Sequence, residues 1–313
     1  MSCSLMGIFI GETPMIQPGQ KLYRLRTQDG FSISGHLVGR EGVLTKDHSD
    51  IPILIGVHGL LGHFLARGTP RLLPYALRKQ GVWSFSINTR LAYAGQMTGK
   101  GIFGETIHDI DAAVTFLTNE GFQNIFILGY SLGASMVINW GANRQEPNVR
   151  GLILEGVHYS IPNTHKKRLA KWESTPTYEE VYARAQAIFG SNPDHSPNDE
   201  TFVIYQARGP SRKPGDDEIF TYKTWWHMMG PEASAAMAHR HIGKVKIPML
   251  LWRGEHDPLI EAWEGEELAR IAREGGNPQV RTRTIPHAGH DCMDNPEAML
   301  KEIVSMVSAV RNS

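Results

Sequence analysis

Three rhythms of apolar and polar positions succeed one another along this chain of 313 residues. Residues 21–26 (KLYRLR) and 31–38 (FSISGHLV) alternate, and Asp29-Gly30 between them is a tight-turn signal. They predict two half-buried strands of an antiparallel edge. The alternation then gives way to short, nearly continuous apolar runs at 53–58, 82–87, 124–129 and 149–156. Helical patterns separate these runs over 70–80, over 105–119 and from Leu132 onward. Buried strands alternating with helices predict βαβ units and a parallel sheet covered on both faces.

The rhythm stops from 158 to 242. That stretch holds seven prolines (162, 176, 193, 197, 210, 214 and 231), several charge clusters and many aromatics, and it shows no clear buried strand. It resumes with a strand over 247–254 and a helix over 261–274 closed by Gly275-Gly276. Another strand ends near Ile285. The last helix begins at Asn295-Pro296, an N-cap followed by proline at the first helical position. Met299, Leu300, Ile303, Val304 and Val307 form its apolar face. A structureless loop of about 80 residues does not fit a compact domain, so the interruption predicts a mostly helical cap. The expected organisation is a core over 1–157, a cap over 158–242 and the rest of the core over 243–313.

Composition narrows the class. Hydrophobic residues make up 41% of the chain, enough for a sizeable core, and 32 basic residues balance 32 acidic ones. No like-charged run suits a nucleic acid, so none is expected as a partner. Cys3 and Cys292 are the two cysteines. They make no disulfide framework and read as free thiols in a reducing compartment. The short apolar run at 5–10 lacks a basic leader, and no apolar stretch approaches the length of a membrane span. The expectation is a soluble, cytoplasmic protein, with a homodimer left open.

The chemistry centres on Gly129-Tyr130-Ser131-Leu132-Gly133. This G-x-S-x-G pattern is weak alone, but here it ends an apolar strand and opens an apolar helix. Small flanking residues let strand and helix approach around a strained turn that lifts the serine hydroxyl above the sheet. The helix N-terminus offers backbone N–H groups where an oxyanion would form. A serine hydroxyl needs a base. His287 and His290, in IPHAGHDCM, both qualify. His290 is favoured, because a loop must carry the imidazole back over the sheet edge. Asp257, in RGEHDPLI just after a core strand, is the candidate acid, with Glu255 and Glu155 as alternatives.

The second oxyanion donor, beside the Leu132 N–H, is expected from His58-Gly59-Leu60-Leu61-Gly62. Leu60 is the first choice and Leu61 the second, with His58 as a structural brace. Leu61, Trp225, Trp226 and Met229 are candidates for the walls of a pocket, although most of the aromatics in 158–242 should form the cap's own core. Asn88, Thr89 and Arg90 could line the entrance or simply form a turn. His239 and His241 alternate without a third ligand, and residues 213–218 (KPGDDE) read as a solvated loop, so no metal is expected.

HGLLG at 58–62, GYSLG at 129–133, GEHDPL at 254–259 and HAGH at 287–290 stand in an order that resembles the α/β-hydrolase superfamily. The resemblance covers the core from about residue 20 to the end, apart from the insertion. It implies an esterase-like serine hydrolase with the triad Ser131, Asp257 and His290, a two-step acyl transfer and no cofactor. Serine at the nucleophile position sets the chain apart from the dehalogenase and epoxide-hydrolase branches. The expected substrate is a small carboxylic ester with an apolar portion. Carbon–carbon bond hydrolysis and acyl transfer by the same triad are rivals. A ligand-binding receptor on a hydrolase scaffold is the rival from another class, but such proteins usually lose a triad member and this chain has all three.

Overall fold

The computed structural model describes residues 19–39, 48–190, 192–197, 199–208 and 217–311. Eight strands form one sheet: β1 (Gln20–Arg26), β2 (Ser32–Val38), β3 (Pro52–Val57), β4 (Trp83–Asn88), β5 (Asn124–Tyr130), β6 (Val149–Glu155), β9 (Met249–Gly254) and β10 (Val280–Ile285). Their order across the sheet is β1-β2-β4-β3-β5-β6-β9-β10. β2 pairs antiparallel with both β1 and β4, and every other pairing is parallel. The antiparallel edge and the parallel core thus fall where the change from alternation to apolar runs puts them.

Between the strands lie α1 (Thr69–Lys79), α2 (Thr106–Asn119), α3 (Leu132–Asn143), α8 (Ala262–Glu274) and α9 (Pro296–Arg311). The apolar runs split by parity between two cores, one on each face of the sheet. Ile53, Ile55, Ile125, Ile127, Leu152 and Leu154 pack with residues of α2, α3 and α8. Leu54, Phe126, Leu128, Ile153 and Leu250 pack with α1 and α9. Successive strand side chains point to opposite faces, so a run is nearly continuously apolar when both faces are covered. At the start of α9 the Asn295 side chain accepts from the Ala298 N–H, as the Asn-Pro signal predicts.

The inserted segment contains α4 (Ile161–Lys171), α5 (Tyr178–Phe189), α6 (Tyr222–Met229) and the short α7 (Ala238–His241). It also contains a two-stranded antiparallel sheet, β7 (Thr201–Ile204) with β8 (Glu218–Thr221). These strands were not legible because each has four residues and one opens on a glutamate. That glutamate corrects the reading of 213–218 as solvated. Residues 213–216 lie outside the described residues, but Glu218 is fully buried and accepts from Arg168 at 2.9 and 3.1 Å. The aromatics also differ from expectation. Trp226 forms a local cluster with Ala185 and Phe189, whereas Phe220, Trp225, Met228 and Met229 belong to the main core.

Arg90, at the end of β4, decides between entrance and turn. Its side chain is buried, and it bonds Asp29 at 2.7 Å, Glu105 at 2.6 Å and the fully buried Asp109 at 3.0 Å. The Arg90 N–H also donates to Asp109 at 2.8 Å. One guanidinium therefore pins the β1–β2 turn and the start of α2 to the end of β4. Asn88 and Thr89 are structural too. Asn88 Oδ1 accepts from the Phe64 N–H, and Thr89 bonds His58.

Candidate active site

Ser131 sits between β5 and α3 with φ 54° and ψ −117°. A non-glycine residue at positive φ is strained, and its surroundings impose this conformation. The Ser131 N–H donates to the Glu155 carbonyl at 2.8 Å, continuing the β5–β6 pairing beyond the last paired residues. Its carbonyl accepts from the Ala134 N–H at 3.0 Å. A Cβ at Gly129 would lie 2.4 Å from the Gly133 oxygen, and one at Gly133 would lie 2.5 Å from the Val57 oxygen. Only glycine lets strand, turn and helix come this close.

The histidine and the acid arrive on the loops after β10 and β9. His290 Nδ1 lies 2.8 Å from Asp257 Oδ2. Asp257 Oδ1 accepts from the backbone N–H groups of Leu259 at 2.8 Å and Ile260 at 3.1 Å, so the carboxylate is held at both oxygens. Burial pushes the Asp257 pKa up, but His290 and the two amides outweigh it and hold the group below the usual carboxylate range. His290 Nε2 is buried and makes no hydrogen bond to the described residues. The His290 ring packs 5.3 Å from the ring of Tyr130, the residue before the serine.

The alternatives are placed elsewhere. His287 is largely exposed and its N–H donates to Glu255 Oε2 at 2.8 Å, so neither residue joins the Asp257–His290 pair. Glu155 is fully buried behind the loop that carries His290. Thr69 Oγ1 lies 2.6 Å from the Asp291 carbonyl and 3.0 Å from Glu155 Oε1. The one hydroxyl hydrogen faces both of these acceptors. Burial raises the Glu155 pKa well above the usual carboxylate range, against the pull of the Thr69 hydroxyl.

This buried acid carries a pH signature. A raised folded-state pKa leaves stability intact below the unfolded value of about 4.3 and removes it as pH climbs towards and through the folded pKa. Glu155→Gln keeps the shape and cannot ionise. The melting temperature of the natural chain should fall relative to Glu155→Gln between pH 5 and pH 9. A constant difference across that range would show that Glu155 is ionised in the fold.

The loop after β3 approaches Ser131 closely, since a Cβ at Gly59 would lie 3.2 Å from the Ser131 Cβ. His58 is buried and braces this loop. Its Nε2 accepts from the Thr89 N–H at 3.2 Å, which leaves the proton on Nδ1 to donate to the Gly59 carbonyl at 2.9 Å. Burial lowers its pKa to about 4 and keeps it neutral. The Leu61 N–H is already given to the Ala94 carbonyl at 3.1 Å. No described residue accepts from the Leu60 N–H, and Leu132 opens α3 with an N–H that has no acceptor within the helix.

Of the proposed pocket walls, the Leu61 side chain reaches Gly95, which neighbours Phe220 of the inserted segment. Trp225 is fully buried and its indole N–H donates to His165 Nε2 at 3.1 Å. Trp226 stacks on Tyr182 with ring centroids 5.4 Å apart. Met229 is buried, and its carbonyl accepts from the Tyr178 hydroxyl at 2.8 Å. The two tryptophans and Met229 are thus held in packed apolar clusters. Sequence reasoning passed over His158, a buried residue whose ring lies 6.2 Å from that of His290. Its position just beyond the carboxyl end of a central parallel strand, where open α/β sheets bind ligands, was the available signal.

Among the described residues, Glu255, His256 and His287 bring possible metal-ligand atoms within 4.8 Å of one another. All three are exposed. His239 Nδ1 and His241 Nε2 are each occupied by a backbone carbonyl.

Residues 52–297 match the family model described as serine aminopeptidase, S33. The chain belongs to this family of α/β-hydrolases. Solved structures share the S33 chain's fold. The esterase Pf2001 of Pyrococcus furiosus superposes with a TM-score of 0.62 and 16% identity, over 93% of this chain and 90% of that one. Est1E from Butyrivibrio proteoclasticus, solved with ferulic acid bound, gives 0.60 and 14% identity over 92% and 99%. DcsB, solved with a substrate analogue, gives 0.68 and 13% over 94% and 100%. No match was found among the curated proteins. Among the described residues of this S33 member, no helix is long and apolar enough to cross a membrane.

Proposed function

We propose that this chain is a carboxylic ester hydrolase that works through an acyl-enzyme on Ser131, with His290 as base and acid and Asp257 as its orienting carboxylate. The Asp257–His290 hydrogen bond carries the reading. It fixes the imidazole with Nδ1 protonated and leaves Nε2 buried, unpaired and able to accept a proton. Catalytic hydrogen bonds are often long in a substrate-free site, so the unpaired Nε2 agrees with this role.

Ser131 Oγ attacks the ester carbonyl as its proton passes to His290 Nε2. The Leu60 and Leu132 N–H groups hold the oxyanion. Collapse expels the alcohol, which takes the proton from His290. Water then repeats the sequence on the acyl-serine and releases the acid. The segment 158–242 acts as a cap over the substrate. The esterases among the structural relatives support an ester substrate, whereas the family description names an aminopeptidase. The same triad cleaves either bond.

A fluorophosphonate probe should label one residue per chain, and peptide mapping should find it at Ser131. The protein should also hydrolyse p-nitrophenyl acyl esters faster than aminoacyl p-nitroanilides. Labelling elsewhere, or none, would overturn the assignment of the nucleophile. A preference for the anilides would transfer the chemistry from esters to amides.

A further inference from the structure

His158 follows β6 by three residues and is only 7% exposed. Neither of its ring nitrogens bonds a described residue, and its Nδ1 is fully enclosed. The other histidines buried to this degree all have partners. His36 meets Gln20, His48 the Glu120 carbonyl, His58 the Thr89 N–H and His165 the Trp225 indole. A buried polar group is rarely left without a partner. His158 faces another such group, because His290, 6.2 Å away between ring centroids, has its Nε2 enclosed and unpaired. The unpaired His158 ring and the unpaired Nε2 of His290 thus stand close together beyond the carboxyl end of β6, next to the turn that carries Ser131.

We propose that His158 is a specificity residue that hydrogen-bonds a hydroxyl group carried by the substrate close to its scissile carbonyl. The proposal rests on the Ser131 reading and adds a polar requirement to a substrate otherwise recognised by apolar contacts. The kind of group follows from the state of the ring. Burial, then the neighbouring His290 and Arg168, bring the His158 pKa down to about 3 and keep it neutral. A neutral imidazole offers one donor and one acceptor. A hydroxyl can meet either one, donating to the bare nitrogen or accepting from the protonated one, whereas a carboxylate would call for an imidazolium that this position disfavours.

Two matched substrate pairs test this and separate the sides of the ester. One pair is p-nitrophenyl 3-hydroxybutyrate with p-nitrophenyl butyrate. The other is 2-hydroxyethyl butyrate with propyl butyrate. The natural chain should favour the hydroxylated member of one pair by at least about 10-fold in kcat/KM, since a site built to bind a hydroxyl rejects the analogue without it. His158→Leu should reduce that preference to about 2-fold or less while turnover of the apolar member stays within about 3-fold. Its melting temperature should not fall, because removing an unpaired buried polar group costs the fold nothing. His158→Gln, which keeps a donor and an acceptor, should retain part of the preference.

No preference in the natural chain, or a preference that survives His158→Leu, overturns the proposal. So does a lowered melting temperature with equal losses on both members of a pair, which marks a structural histidine. If the natural chain hydrolyses none of the four esters and Ser131 is not labelled, the ester-hydrolase reading fails instead.

Discussion

Ser131→Ala should lower kcat/KM for a p-nitrophenyl acyl ester by about 10⁴-fold or more, equivalent to about 5 kcal/mol of lost transition-state stabilisation. The variant should nevertheless fold normally. The turn is held by backbone: the Ser131 N–H on the Glu155 carbonyl, the Ala134 N–H on the Ser131 carbonyl, and glycines at 129 and 133 where no Cβ fits. Alanine accepts the same φ at similar cost to serine, so the melting temperature should change little. Asp257→Asn should cost activity on a similar scale for a different reason. Its amide would favour the wrong tautomer of His290, and such a change is worth about 10⁴-fold where the geometry survives. The alanine variant should lose fluorophosphonate labelling altogether. Ester hydrolysis by Ser131→Ala within about 10-fold of the natural rate would exclude Ser131 as the nucleophile.

The largest expected loss of stability lies away from the chemistry, at Arg90. Arg90→Met removes the guanidinium and strands Asp109, which is completely buried and keeps only the Arg90 N–H. Breaking a buried ion pair from one side costs about 3–5 kcal/mol. For a domain of this size that corresponds to a fall of about 5–8 °C in melting temperature. Asp29 and Glu105 add little to this figure, because their side chains are 33% and 49% exposed and solvent screens them. The double variant Arg90→Met/Asp109→Leu should recover most of the loss, since well-packed apolar replacements of buried pairs are often neutral. A single variant within about 1 kcal/mol of the natural chain would mean that Asp109 is satisfied without Arg90.

Arg90 also shows how far the sequence could be read. Its triplet with Asn88 and Thr89 lies at the site end of a core strand, which made an entrance lining and a turn equally good readings. Its partners Asp29, Glu105 and Asp109 come from three other stretches of chain, and no local pattern joins them. The choice between His287 and His290 is of the same kind. Both follow β10, and only folding shows that Asp257 meets the second while Glu255 takes the backbone of the first.

What the sequence determined by itself is the frame. Strands covered on both faces are nearly continuously apolar, so the parallel core and its antiparallel edge were legible from the change in rhythm. Glycines on either side of Ser131 mark a turn where strand and helix meet too closely for a Cβ. These signals are local, because covalent geometry and burial act on neighbouring residues. The tertiary structure alone decided the rest. It put Trp226 into a local cluster and Trp225 and Met229 into the main core, it buried Glu155 behind the histidine loop and so raised its pKa, and it left His158 without a partner beside His290. Each of these depends on which groups meet across long separations in sequence. An aromatic residue packs equally well against any apolar wall, and a histidine takes its state from neighbours that the sequence alone does not reveal.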